Sequence, residues 1–110
     1  MTTSNSHLEN PEDLKLATLA SNTLKRTGAL ESAALRDSTG RTYVAINIKT
    51  NSLTLNALDA VFTVAMASGI SGIESVVVVG QSPETIGAIR DFAPDATVFF
   101  IDDSGEVATL

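Results

Sequence analysis

The chain has 110 residues, seven lysines and arginines against thirteen acids, and a formal charge of -6. It contains no cysteine and a single histidine, His7, which excludes disulfides, thiolate metal sites, cysteine nucleophiles and a histidine triad within one chain. The length suits one domain with a real core, and the negative charge argues against nucleic acid or an anionic membrane surface as partner.

The polar start, MTTSNSHLENPED, has no apolar run of the secretory type, and no stretch is apolar for long enough to span a bilayer. A cytoplasmic protein is expected. Residues 1–9 are expected to form a disordered tail, with residues 10–110 making a single domain. His7 falls in that tail with no partner ligand in sight, so no metal role is assigned to it.

Asn10 is placed to cap a helix with Pro11 at its first position and Glu12 and Asp13 in its first turn. Leu14, Leu16, Ala17, Leu19, Ala20 and Leu24 give an apolar face, Lys25 and Arg26 suit the last turn, and Gly28 ends it. Residues 29–36 (ALESAALR) and 41–48 (RTYVAINI) flank the turn string DSTG. The second arm alternates as a strand does. The first has helical propensity, but its pairing through the turn predicts a β-hairpin.

Thr54 to Gly69 (TLNALDAVFTVAMASG) is the longest stretch with helical periodicity, carried by Leu55, Leu58, Val61, Phe62, Ala65 and Met66. Thr54 is read as its cap and Gly69 as its stop. Asp59 is its only charge, so this helix is expected at the centre of the fold. Ser71 to Gly80 holds four successive valines, Val76 to Val79, and reads as a strand buried on both faces. Gln81 to Phe92 opens with Ser82 and Pro83 and is predicted to be a helix with Ile86, Ile89 and Phe92 on one side. Ala96 to Ile101 is the next buried strand, DDSG (102–105) a turn, and Val107 to Leu110 an edge strand. The two strand–helix–strand crossovers favour parallel pairing, with helices on both sheet faces.

This order, with several local strings, resembles the cytidine deaminase family. Members carry a hairpin of the form VGAAL-x-x-x-x-G-x-x-Y-x-G-x-NIEN, matched here by ESAALRDSTGRTYVAINIKTN (31–51). A helix opening T-x-CAE follows, where this chain has TLNAL (54–58). The family's later strand, PCGxCRQ helix and EFAPDA stretch correspond to ESVVVVG, QSPETIGAIRDF and FAPDATVFFI. The similarity spans roughly residues 12–105. It implies a three-layer α/β/α sandwich with a mixed sheet and, in the family, a zinc ion that activates water beside a proton-shuttling glutamate.

Residue by residue, the resemblance places Asn56 at the first zinc ligand, Leu58 at the glutamate, and Ser82 and Thr85 at the paired cysteines. A one-residue shift would offer Glu84 and Gly87 instead. Neutral amide and hydroxyl oxygens are poor zinc ligands, and a leucine carries no proton, so no metal, no cofactor and no deamination by the family mechanism are expected. Asn47 matches the family asparagine that contacts ribose, while its glutamate companion is Lys49 and the preceding aromatic residue is Ala29.

The leading expectation is therefore a catalytically inactive, deaminase-like binding or assembly module, a homo-oligomer (dimer or tetramer) as the family suggests. The alternative is a nucleoside, nucleotide or anion sensor that uses the old cleft through Asn47, Lys49, Asn56, Ser82 and Thr85, with two helix N-termini converging on it. A third reading, contact with RNA through a patch of Lys25, Arg36, Arg41 and Lys49, conflicts with the acidic remainder of the chain.

Overall fold

A computed structural model describes residues 8–110. His7 and residues 1–7 of the expected tail lie outside the described residues. Leu8 is buried against the first helix and the sheet. That helix, α1 (Pro11–Thr27), begins and ends as its sequence dictates. The Asn10 side chain accepts the Glu12 N–H at 2.9 Å, and Gly28 closes the helix in the left-handed region at φ 68°.

The hairpin forms as β1 (Ser32–Asp37) and β2 (Thr42–Ile46), and strand geometry wins over the helical propensity of the first arm. β1 sits between two neighbours, β2 and β5 (Ile73–Val79), and every one of its residues is buried. The parallel β6 (Thr97–Ile101) and the antiparallel edge strand β7 (Val107–Thr109) complete a sheet of order β2-β1-β5-β6-β7. Expected parallel pairing therefore holds only between β5 and β6. The crossover after the hairpin passes over β1, so β5 pairs with β1 in the antiparallel sense.

Side-chain alternation divides the sheet's two faces. Ala33, Leu35, Val76, Val78 and Val98 face α2 (Ala57–Ala67) and the short α3 (Gly87–Phe92). Ala34, Val77 and Val79 face α1 with Leu16 and Ala20. The four valines are thus buried on both faces, and the fold is a three-layer α/β/α sandwich with a mixed sheet. Phe62 of α2 meets Phe92 of α3 edge to face, with ring centres 6.0 Å apart.

Three local expectations require correction. Thr54 does not cap the central helix. It pairs with Lys49 in a small ladder of β3 (Ile48–Lys49) and β4 (Thr54–Leu55), and Asn56 takes the cap by accepting the Asp59 N–H at 2.7 Å. Ser82 and Pro83 do not start a helix; the segment stays irregular until Gly87. Of that segment Ile86, Ile89 and Phe92 join the core, whereas Gln81, Ser82, Glu84 and Thr85 are exposed and have no packing to repay helical order. Arg36 belongs to no surface patch. It is buried on the α1 side, donating to Asp13 at 2.9 Å and to Glu74 at 2.8 Å. Glu74 reaches it from a bulge: Arg36 pairs with Ser75 and Asp37 with Ile73, leaving Glu74 between them.

Candidate functional site

The carboxyl end of β5 brings three segments together: the start of β1, the start of α2 and the loop 81–86. Gly80 permits their approach. At φ 98° it takes a conformation suited to glycine, and a Cβ there would stand 2.2 Å from the Leu30 carbonyl oxygen. The loop consequently runs against Leu30 and Glu31, leaving a cleft of about 240 Å³ lined by Glu31, Asn56, Gln81, Ser82, Glu84 and Thr85, with Pro83 beside them.

Glu31 is the residue that sequence reasoning missed. Its carboxylate Oε1 accepts the Ala57 N–H at 2.6 Å, at the first turn of α2. Its backbone N–H donates to the Asn47 side-chain oxygen at 3.2 Å, and the Asn47 N–H returns to the Glu31 carbonyl at 3.3 Å. Asn47 therefore fixes the strand entry that aims Glu31 at the helix. A signal existed in the sequence: Glu31 stands where the VGAAL pattern has valine, immediately before a wholly buried strand.

The helix N-terminus is thus already supplied. Two of its N–H groups, on Ala57 and Asp59, point at oxygens of Glu31 and Asn56, and the Glu31 charge complements the helix dipole. The second helix invoked for anion binding starts only at Gly87, beyond the cleft lining, is six residues long and has no side-chain cap bond. Thr85 Oγ1 accepts the Gly87 N–H at 3.1 Å.

Of the residues singled out from sequence, Asn56, Ser82 and Thr85 line one cleft, together with Glu84 of the shifted register. Asn47 touches it through Glu31. Lys49 is exposed in the β3–β4 ladder and does not line the cleft. Leu58 is not there either. It is 1 % exposed in the core between α2 and the sheet, with Leu35, Val76 and Val78 in the same cluster.

The donor set does not fit zinc. Asn56 Oδ1, Thr85 Oγ1 and one Glu31 oxygen each accept a backbone N–H, and among the described residues no three His, Cys, Asp or Glu side chains converge as a metal site.

Two carboxylates elsewhere are held below the ordinary aspartate range. Burial works against the charge of Asp37, but the Thr39 hydroxyl, the Arg41 and Thr39 N–H groups and the Arg41 charge outweigh it. Asp102 is lowered by the Ser104 hydroxyl and the N–H groups of Glu106, Ser104 and Gly105, against a small opposing effect of burial. Both sit in hairpin turns of the same D-x-[ST]-G design. Burial likewise works against the Arg36 charge, and its bonds to Glu74 and Asp13 reverse the balance, raising its pKa above the usual arginine value.

Residues 9–105 match the family model described as cytidine deaminase-like. The fold is similar to a cytidine deaminase from Burkholderia pseudomallei, with a TM-score of 0.73 and 16% identity over 88% of this chain and 90% of that one. It is also similar to a cytidine deaminase from Mycobacterium leprae, with a TM-score of 0.65 and 17% identity over 92% and 94% of the two chains. Curated protein sequences give no match.

Proposed function

The chain belongs to the cytidine deaminase-like family, and from that premise we propose that it is a non-catalytic member acting as a binding or assembly module. The observation that carries this reading is Leu58. In the residue match drawn from the sequence, Leu58 stands at the family's proton-shuttling glutamate, and its apolar side chain is packed into the core. General acid–base catalysis contributes roughly 10²–10⁴-fold, and no group at that position can supply it. Glu31 is engaged as the acceptor of an N–H at the start of α2.

Assembly is the positive side of the proposal. From Thr63 to Ala67 the exposed part of α2 carries no charge, and Val64 and Met66 are 44% and 40% exposed. An uncharged helix face with exposed apolar side chains suits contact between copies, as a dimer or tetramer. Metal analysis of the purified chain together with a cytidine turnover assay tests the reading. The expected result is substoichiometric zinc and no turnover; stoichiometric zinc with measurable deamination would overturn it.

A second reading is favoured by one observation, the cleft beside Asn56, which remains open rather than filled by side chains. Under that reading it receives a small ligand. Its lining holds Glu31 and Glu84 and no basic residue, so an uncharged nucleoside suits it better than a nucleotide or phosphate. Thermal shifts with nucleosides, nucleotides and phosphate decide. A nucleoside is expected to stabilise the chain most, and an unchanged transition with all of them at millimolar concentration removes this reading.

A further inference from the structure

On the opposite side of the sheet, a second crevice of about 160 Å³ opens between the end of α1 and the carboxyl ends of the parallel pair β5 and β6. Its floor is Leu24, Val79 and Ile101, all part of the α1-side core. One wall is α1, with Ser21 and Lys25. The other is the turn after β6, with Asp102 and Asp103.

The charges of the two walls are opposite, and neither is in an ion pair. Among the described residues, the ion pairs are Lys15–Glu12, Arg36–Asp13 and Arg36–Glu74, so neither Lys25 nor Asp103 has a partner. Asp102 differs, because its Oδ1 already accepts from the Ser104 N–H, the Ser104 hydroxyl and the Glu106 N–H. Asp103 is the acid left for a ligand. Beside the floor, Ser32 is the cross-strand partner of Val79; it is completely buried and its hydroxyl has no hydrogen-bond partner. A buried unpaired hydroxyl is uncommon.

We infer that this crevice binds a small free amino acid as its zwitterion, with Lys25 on the carboxylate, Asp103 on the ammonium and the Leu24–Val79–Ile101 floor under an aliphatic side chain. A ligand with one charge leaves one wall unpaired, and glycine leaves the floor uncovered. The crevice has room for a molecule of that size. The inference is independent of the cleft at α2.

Titration of the full chain followed by amide NMR shifts tests it, with L-valine, N-acetyl-L-valine (no ammonium), L-valinamide (no carboxylate) and glycine as probes. L-valine is expected to give saturable shifts at Ser21, Lys25, Gly80 and Asp103. Each single-charge analogue should bind at least about fivefold more weakly, as the loss of one charge-assisted contact requires. Lys25→Gln should weaken valine and leave valinamide unchanged, whereas Asp103→Asn should weaken valine and leave N-acetylvaline unchanged. Glu84→Gln, in the other cleft, should change nothing. Lack of saturation at tens of millimolar, equal binding of valine and its single-charge analogues, or shifts centred on Glu31 and Asn56 overturns the assignment. Lys25 and Asp103 are exposed, so the spectra also show directly that the variants remain folded.

Discussion

Leu58 packs α2 onto the sheet, and Glu31 sets the start of that helix. Leu58 is 1 % exposed in the core between α2 and the sheet, and Glu31 is a carboxylate where the hairpin pattern it resembles has valine. Leu58→Ala should destabilise by about 2–5 kcal/mol through lost contacts and a cavity. Leu58→Glu should cost about 3–5 kcal/mol by placing an unpaired charge in the core, and it should not generate deamination. Chemical denaturation and the turnover assay check both. Glu31→Ala should cost about 1–2 kcal/mol, because the Ala57 N–H loses its acceptor and the α2 dipole loses its charge. Glu31→Gln keeps the acceptor and should cost clearly less. Equal losses for the two would mean that the hydrogen bond does not set the start of α2.

At the scale of elements, a buried Arg36–Asp13 pair, extended to the half-exposed Glu74, holds α1 to the sheet. Arg36 on β1 bridges Asp13 in the first turn of α1 and Glu74 in the β5 bulge. Removing Arg36 strands Asp13, which is 7% exposed, so Arg36→Met should cost about 3–5 kcal/mol. Adding Asp13→Leu to that variant should restore part of the loss; a double-mutant cycle with no coupling would contradict the arrangement. The hairpin turns supply an acid dependence. Asp37 and Asp102 have lowered folded-state pKa values, so their contribution is fully present above the unfolded aspartate value of about 3.9 and is lost as pH falls through the folded values. Stability should therefore decline below about pH 4. Asp37→Asn should be less stable at neutral pH and flatten that decline, as followed by thermal unfolding across pH.

For the whole molecule, the uncharged outer part of α2 sets the test of assembly. Val64→Glu together with Met66→Glu changes side chains that are largely exposed, so folding should be retained. If copies associate through α2, sedimentation should show the wild-type oligomer converted to monomer; an unchanged mass would move the contact elsewhere. Arg36 is held in ion pairs with Asp13 and Glu74 and does not contribute to a surface basic patch. No helix among the described residues is long and apolar enough to cross a membrane.

Local chemistry determined much of this fold in advance. Asn10, Pro11 and Gly28 bound α1, both D-x-[ST]-G strings make hairpin turns, and the four valines lie between two helix layers. These features depend on neighbours a few residues apart, or on a hydrophobic run that only a two-sided core can satisfy. The order of strands and motifs also carried the family. Tertiary structure decided the rest. Thr54 and Asn56 are both acceptable caps, and only pairing of Thr54 with Lys49 moved the helix start to Asn56. Ser82 and Pro83 form a good helix opening locally, yet packing begins only at Ile86. The acceptor for α2's first N–H comes from Glu31, 26 residues earlier, delivered by a strand entry that Asn47 and Gly80 hold in place. Such contacts join chain segments that have no local preference for one another, so their energy exists only once the sheet has closed.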